Sequence, residues 1–154
     1  MCRHSYAFKI ALIDSVYRSI REDVAVKIKS IQTKSPRFQP QLCIVQAGDR
    51  PDSTTYVRTK AKVAEQVGIK FRHIQVPVET SAEHIVKVVQ ELNSDESVSG
   101  ILVQLPLGDH ITSAGERLVT EAVSAHKDVD GYDFFTAGFN LGFSRIYLGS
   151  MLTI

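Results

Sequence analysis

Residues 42–47 read Leu42-Cys43-Ile44-Val45-Gln46-Ala47, bounded by Pro40 before and Gly48 after. A strand with one wet face would alternate apolar and polar residues. A nearly unbroken apolar run of this length is a strand covered on both faces, the condition of a parallel sheet. Two similar runs follow. Phe71–Val76 (FRHIQV) alternates in places and stops at Pro77, and Val98–Val103 (VSGILV) closes on Gln104-Leu105-Pro106. Helical patterns separate them. One starts near Ser53 or Thr54, after the turn Gly48-Asp49-Arg50-Pro51-Asp52, and ends at Gly68, a residue suited to the left-handed position past a helix C-terminus. A second opens on Thr80 and Glu83, spaced as a capping box, and turns Ile85, Val88, Val89 and Leu92 inward. Ahead of the first strand, Leu12, Val16, Ile20, Val24, Ile28 and Ile31 recur at spacings of four and three, with Arg18, Arg21, Asp23 and Lys27 between them. This predicts an amphipathic helix over residues 14–32 with that stripe on a core. Residues 116–124 read as a short fourth helix.

Helices and strands therefore alternate, which predicts an α/β fold with a mostly parallel sheet and helices on both faces. Ligands of such sheets collect at the carboxyl ends of the strands. Here those ends are Gly48-Asp49, Val76-Pro77 and Gln104-Leu105-Pro106.

The 154 residues are 44% apolar and 23% charged, an ordinary globular composition that argues against a disordered chain. Net charge is +1, and no basic cluster marks a nucleic-acid partner. No run of about 18 apolar residues exists to cross a membrane. Two cysteines, Cys2 and Cys43, are too few for a disulfide framework, which favours a reducing compartment. Cys43 lies in an apolar run and reads as core. Met1 to Lys9 carries Arg3, His4 and Lys9, and no acid precedes Asp14. That is either a short targeting segment or a frayed tail ahead of the first helix. The expectation is a cytoplasmic protein, with the mitochondrion as alternative.

Three sets of residues could carry chemistry. Tyr56 and Lys60 are four apart on one helix, so they share a face, continued by Val63, Ala64 and Val67. A lysine there is partly desolvated, which lowers its pKa toward a range useful in proton transfer, and the phenol one turn away could hydrogen-bond the amine. A lysine stretched along a half-buried helix explains the same spacing without chemistry. Gln104 ends a strand where a neutral amide can donate and accept, as would any strand-terminal polar residue. Lys127-Asp128-Val129-Asp130-Gly131 makes a turn that presents a carboxylate to a cationic or amidine-like edge, or else a solvated surface turn. The five histidines show no metal-ligand spacing, and neither a G-x-G-x-x-G nor a P-loop occurs.

Taken in order, Gln46-Ala47-Gly48-Asp49-Arg50-Pro51-Asp52-Ser53 with Tyr56-Val57-Arg58-Thr59-Lys60, then Gly100-Ile101-Leu102-Val103-Gln104-Leu105-Pro106-Leu107, then Lys127-Asp128-Val129-Asp130-Gly131, closely resemble the folate-binding lobe of methylenetetrahydrofolate dehydrogenase/cyclohydrolase. The resemblance covers Ile13 to Gly131. It implies that Lys60 is the catalytic lysine, that Tyr56 lies against the folate ring and that Gln104 bonds lysine and substrate. It implies that Asp130 holds the amino edge of the pterin and that Ser53 stands beside the tyrosine and lysine. The implied activity is oxidation of 5,10-methylenetetrahydrofolate with NADP, then hydrolysis of the methenyl product to 10-formyltetrahydrofolate. In eukaryotes the lobe is often part of a trifunctional one-carbon synthase, and the family is usually homodimeric.

The sequence also departs from the family. Asp14-Ser15 stands where Asp-Gly is usual, Thr136 occupies an Asn position, and no Cys-Thr-Pro segment follows. The expected division is a tail over residues 1–13, a catalytic lobe over 14–131, and an atypical tail over 132–154 whose Leu148, Met151, Leu152 and Ile154 add apolar surface. The Rossmann lobe that binds NADP in the family is absent, so the chain reads as truncated, with no cofactor-binding residues of its own and no dehydrogenase activity by itself. The alternative is a non-catalytic folate-binding or interaction fragment.

Overall fold

The computed structural model describes residues 3–131, with side chains from Ser15 onward. The expected tail over 132–154, with Leu148, Met151, Leu152 and Ile154, lies outside the described residues, as does Cys2. Seven elements follow one another: α1 (Arg3–Lys34), β1 (Gln41–Ala47), α2 (Pro51–Gln66), β2 (Lys70–Val76), α3 (Ala82–Ser94), β3 (Gly100–Gln104) and α4 (Ser113–Glu121). The strands form one parallel sheet in the order β2-β1-β3. The α/β class and the parallel sheet are as expected.

Side-chain alternation along β1 builds two cores, one on each face. Leu42 and Ile44, with Leu102 of β3, pack against Ile28 of α1 and Val57, Val63 and Ala64 of α2. Cys43, Val45 and Ala47, with Ile101 and Val103, pack against Ile85, Val89 and Leu92 of α3 and Val119 of α4. Every residue of β1 is buried, which explains its unbroken apolar run. Cys43 is a fully buried free thiol, as its surroundings in the sequence suggested. The rule places even-numbered side chains of β1 and β3 on the α2 face. Gln46 and Gln104, paired in register at the carboxyl ends, therefore point to the same side.

Several boundaries differ from the sequence reading. The first helix runs back to Arg3 rather than starting at Asp14 behind a frayed tail. Its apolar stripe is only partly covered: Ile28 is buried and Ile20 and Val24 pack on the core, whereas Val16 and Ile31 are 51% and 44% exposed. Leu12 lies outside the described side chains. The second helix starts at Pro51, whose fixed φ suits the first helical position; Gly68 follows its end at φ +87°, as expected. Ser81, not Thr80, caps α3, its hydroxyl accepting from the His84 N–H at 3.3 Å. The third strand begins at Gly100, because Val98 closes a turn by donating to the Asp95 carbonyl at 3.0 Å. The fourth helix starts three residues early because the Thr112 hydroxyl accepts from the Gly115 N–H at 3.2 Å. It stops at Glu121, where tighter bonds from Ala122 and Val123 to Val119 and Thr120 replace the helical pattern.

Beyond α4 the chain returns to the sheet. Ile101 donates to the Lys127 carbonyl at 2.7 Å, and Asp128 forms a parallel bridge with Ile101. Residues 127–129 thus lie along the free edge of β3. Gly100 permits this approach, since a Cβ there would stand 2.6 Å from Val129 Cγ1.

Candidate functional site

The three sets of candidate residues converge on the α2 face of the sheet, at the carboxyl ends of its strands. Lys60 donates from Nζ to Gln104 Oε1 at 3.1 Å, joining two residues 44 apart in the chain. Gln104 is held in turn by its own amide, which donates to the Leu105 carbonyl at 2.9 Å. The amine is half-buried, and burial pushes its pKa below the usual lysine value; the carboxyl of Asp130 acts in the opposite sense. Asp130 is also half-buried, and burial raises its pKa, reinforced by the neighbouring Asp128 and opposed by Lys60. Lys60 and Asp130 therefore feel each other, and each sits where its charged form is disfavoured.

The 127–131 segment is a built structure, not a solvated turn. Lys127 Nζ donates to the carbonyls of Leu92, Asn93 and Asp95 at 3.1, 2.9 and 2.7 Å, closing the C-terminus of α3. Asp128 Oδ1 accepts from the N–H groups of Asp130 and Gly131 at 3.1 and 2.9 Å. The second aspartate, Asp130, is presented by the first.

Tyr56 and Ser53 share the Lys60 face of α2. Ser53 is buried, whereas Tyr56 is 47% exposed. The anticipated phenol–amine bond is not formed: the amine binds Gln104 instead, and Tyr56 stands at the rim with its ring accessible.

A polar residue at the site, Gln46, escaped the sequence reading, with the Thr54 and His73 that bond it. Gln46 is 1% exposed. Its amide donates to the Gly48 carbonyl at 3.3 Å and to Thr54 Oγ1 at 3.1 Å, and its Oε1 meets His73 Nε2 at 3.1 Å. The signal available was a glutamine inside an otherwise apolar strand, which must find partners when buried.

Open N–H groups at a helix N-terminus make a ready phosphate site. In α2 the Asp52 carboxylate already accepts from the Ser53 N–H at 2.9 Å and pairs with Arg50, and α3 and α4 are capped by Ser81 and Thr112. Among the described residues no group of His, Cys, Asp and Glu is arranged to hold a metal, and no helix is long and apolar enough to cross a membrane.

An amine held by an amide beside a half-buried carboxyl thus lies at the carboxyl ends of a parallel sheet, where α/β proteins bind their ligands. Residues 13–130 match the family model of the tetrahydrofolate dehydrogenase/cyclohydrolase catalytic domain, and the chain belongs to that family. The mitochondrial and cytoplasmic C-1-tetrahydrofolate synthases of Schizosaccharomyces pombe are each 40% identical to it, over 121 and 118 residues; these are 79% and 77% of this chain and 12% of either relative. The bifunctional methylenetetrahydrofolate dehydrogenase/cyclohydrolase of Campylobacter jejuni superposes with a TM-score of 0.76 at 35% identity, covering 84% of this chain and 44% of that one. The Trypanosoma brucei dehydrogenase-cyclohydrolase, solved with NADP cofactor and an inhibitor, gives 0.69 at 28% identity over 75% of this chain and 38% of that one. The chain thus spans a small part of the synthases and less than half of the bifunctional enzymes. Its curated relatives include mitochondrial and cytoplasmic proteins.

Proposed function

We propose that this chain is the folate-binding, proton-handling lobe of a methylenetetrahydrofolate dehydrogenase/cyclohydrolase, with Lys60 as its catalytic residue and the cytoplasm as its compartment. The observation that supports this most directly is the 3.1 Å bond from Lys60 to Gln104, made by an amine whose burial favours its neutral form. In the hydrolysis, water adds to the cationic methenyl carbon and loses a proton, which a neutral Lys60 accepts. The bond from that carbon to N5 then breaks. N5 takes a proton from the Lys60 ammonium as the carbinol hydroxyl loses its own, leaving 10-formyltetrahydrofolate and one proton in solvent. Gln104 orients the amine without adding charge. Asp130 accepts from the amidine-like edge of the pterin, Tyr56 offers its open face to the ring, and Ser53 lies beside them on α2. In the oxidation, NADP would supply the hydride acceptor, and no residue of this chain is assigned to it.

Arginine keeps the positive charge but cannot shed its proton in a protein. Lys60→Arg is therefore expected to lose hydrolysis of 5,10-methenyltetrahydrofolate by a factor of about 10²–10⁴, the range of a general acid–base. Near-full activity in Lys60→Arg refutes the proton role. Folate binding by wild type with no hydrolysis above the solvent rate replaces this reading with that of a binding lobe.

A further inference from the structure

The candidate site is split between α2 and the β3 edge, which packing and a few side-chain hydrogen bonds hold together. Ser53, Tyr56 and Lys60 ride on α2, while Gln104 and Asp130 belong to β3 and the segment along its edge. Apolar packing of α2 on the sheet involves Val57, Val63 and Ala64 against Leu42, Ile44 and Leu102. At the level of the site, the α2-facing positions of the sheet are glutamines: Gln75, Gln46 and Gln104 stand in register across β2, β1 and β3. Among the described residues, two side-chain hydrogen bonds tie α2 to a strand. One is Lys60–Gln104 itself, and the other is Gln46–Thr54.

We infer that Gln46, oriented by His73 and anchored on Thr54, is a positioning residue that sets the height of α2 above the sheet and so the approach of Lys60 to Gln104. The orientation of its amide is determined by its partners. The Gly48 carbonyl can only accept, so Nε2 faces Gly48 and Thr54 and Oε1 faces His73. Burial lowers the pKa of His73, and a neutral imidazole has one donor, so the Gln46 oxygen selects the tautomer protonated at Nε2. Gly48 adds a backbone constraint. Its φ is +68°, its carbonyl also accepts from Gln75 Nε2 at 2.8 Å, and a Cβ there would stand 3.0 Å from Val78 Cβ. The acceptor that fixes Gln46 is thus itself pinned from two sides. Every group in this chain of contacts is uncharged, so it can locate an amine without pulling its pKa back up.

The catalytic arm of the test rests on the proposed hydrolysis; a second arm does not. Thr54→Val deletes the anchoring hydroxyl with little change of shape, and Thr54→Ser restores it. With the lysines reductively ¹³C-methylated and Lys60 assigned by the signal missing in Lys60→Arg, NMR titration of the full chain reads how dry the amine is. Thr54→Val is expected to move the Lys60 titration upward, toward an ordinary lysine, as water enters beneath a loosened α2. Thr54→Ser is expected to titrate as wild type. His73→Leu, which leaves the buried Gln46 oxygen without its partner, is expected to follow Thr54→Val. In hydrolysis, Thr54→Val is expected to lower kcat on the order of tenfold with KM within about twofold, since a misplaced group loses rate rather than binding. An unchanged Lys60 titration in folded Thr54→Val and His73→Leu overturns the inference, whatever the enzyme does. A wild-type chain without hydrolysis overturns the proposed function and leaves the titration to decide this point.

Discussion

Replacing Gly100 with alanine tests whether the edge of β3 aims the site. The added Cβ would stand 2.6 Å from Val129 Cγ1, with Leu42 Cδ1 at 3.6 Å on the other side. Carbon atoms pack at about 3.5–4.0 Å, so Val129 must retreat by about 1 Å. It has little freedom to do so. Its flanking residues are tied down by the Ile101–Lys127 bond of 2.7 Å and by the grip of Lys127 on the end of α3. Overpacking of this kind costs about 1–3 kcal/mol. The displacement is expected to shift Asp130, one residue further on, from its place beside Lys60. Gly100→Ala is therefore expected to lower stability in urea unfolding and to weaken binding of a tetrahydrofolate measured by calorimetry. Val129→Ala removes the clashing methyl, so the double variant is expected to recover much of the Gly100→Ala loss, giving a coupling of about 1 kcal/mol or more in a double-mutant cycle. Strictly additive stabilities would show that the contact is relieved elsewhere and that β3 does not aim Asp130.

Gln104→Glu places a carboxylate on the Lys60 amine at the distance now held by the amide. It is expected to raise the Lys60 pKa, to slow methenyl hydrolysis and to move its pH optimum upward, read from rate–pH profiles. Asp130→Asn is expected to weaken folate binding yet stabilise the fold at neutral pH. The wild-type carboxyl titrates above its unfolded value, so its penalty is present at neutral pH and disappears as pH falls through the raised pKa; urea unfolding against pH checks this, and equal stabilities at neutral pH would contradict it. Lys127→Met removes three charge-assisted bonds from the carbonyls closing α3 and is expected to cost about 2–3 kcal/mol in thermal unfolding; an unchanged midpoint would assign that closure to solvent.

The bodies of the strands were legible because burial on both faces of β1 leaves room for only two polar residues, Gln41 at its start and Gln46 near its end. Helix ends were less so. The caps of α3 and α4 depend on which of two adjacent residues bends out of the helix, Thr80 or Ser81 for one and a threonine three residues earlier than expected for the other. Helical periodicity in α1 located a stripe but not its cover, since the pattern says nothing of how far the sheet extends beneath a 32-residue helix. At the site, Lys60, Gln104 and Asp130 could be named from motifs, yet their meeting depends on contacts 44 residues apart in the chain. Helical spacing offered Tyr56 as the partner of Lys60 because spacing measures only neighbours on the same helix, whereas the resemblance pointed to Gln104, the partner the amine has. The Tyr56 ring is one turn away, but Gln104 lies opposite the amine on the sheet.

Five consecutive residues show how a motif divides into scaffold and site. Lys127 spends its charge on three carbonyls of α3, where a cation also complements the helix dipole. Asp128 folds the turn by accepting two backbone N–H groups. Val129 fills the space that Gly100 leaves open, and Gly131 adopts φ +69°, which a side chain would resist. Among the described residues no hydrogen bond holds the Asp130 carboxyl, half-buried and raised in pKa at the end of the strand edge. Two aspartates of identical chemistry, two positions apart, thus differ entirely in role. The first accepts from two backbone N–H groups that hold it in place. The second is half-buried and within electrostatic reach of Lys60, with carboxylate oxygens that water can meet and that a ligand with paired N–H donors could take over.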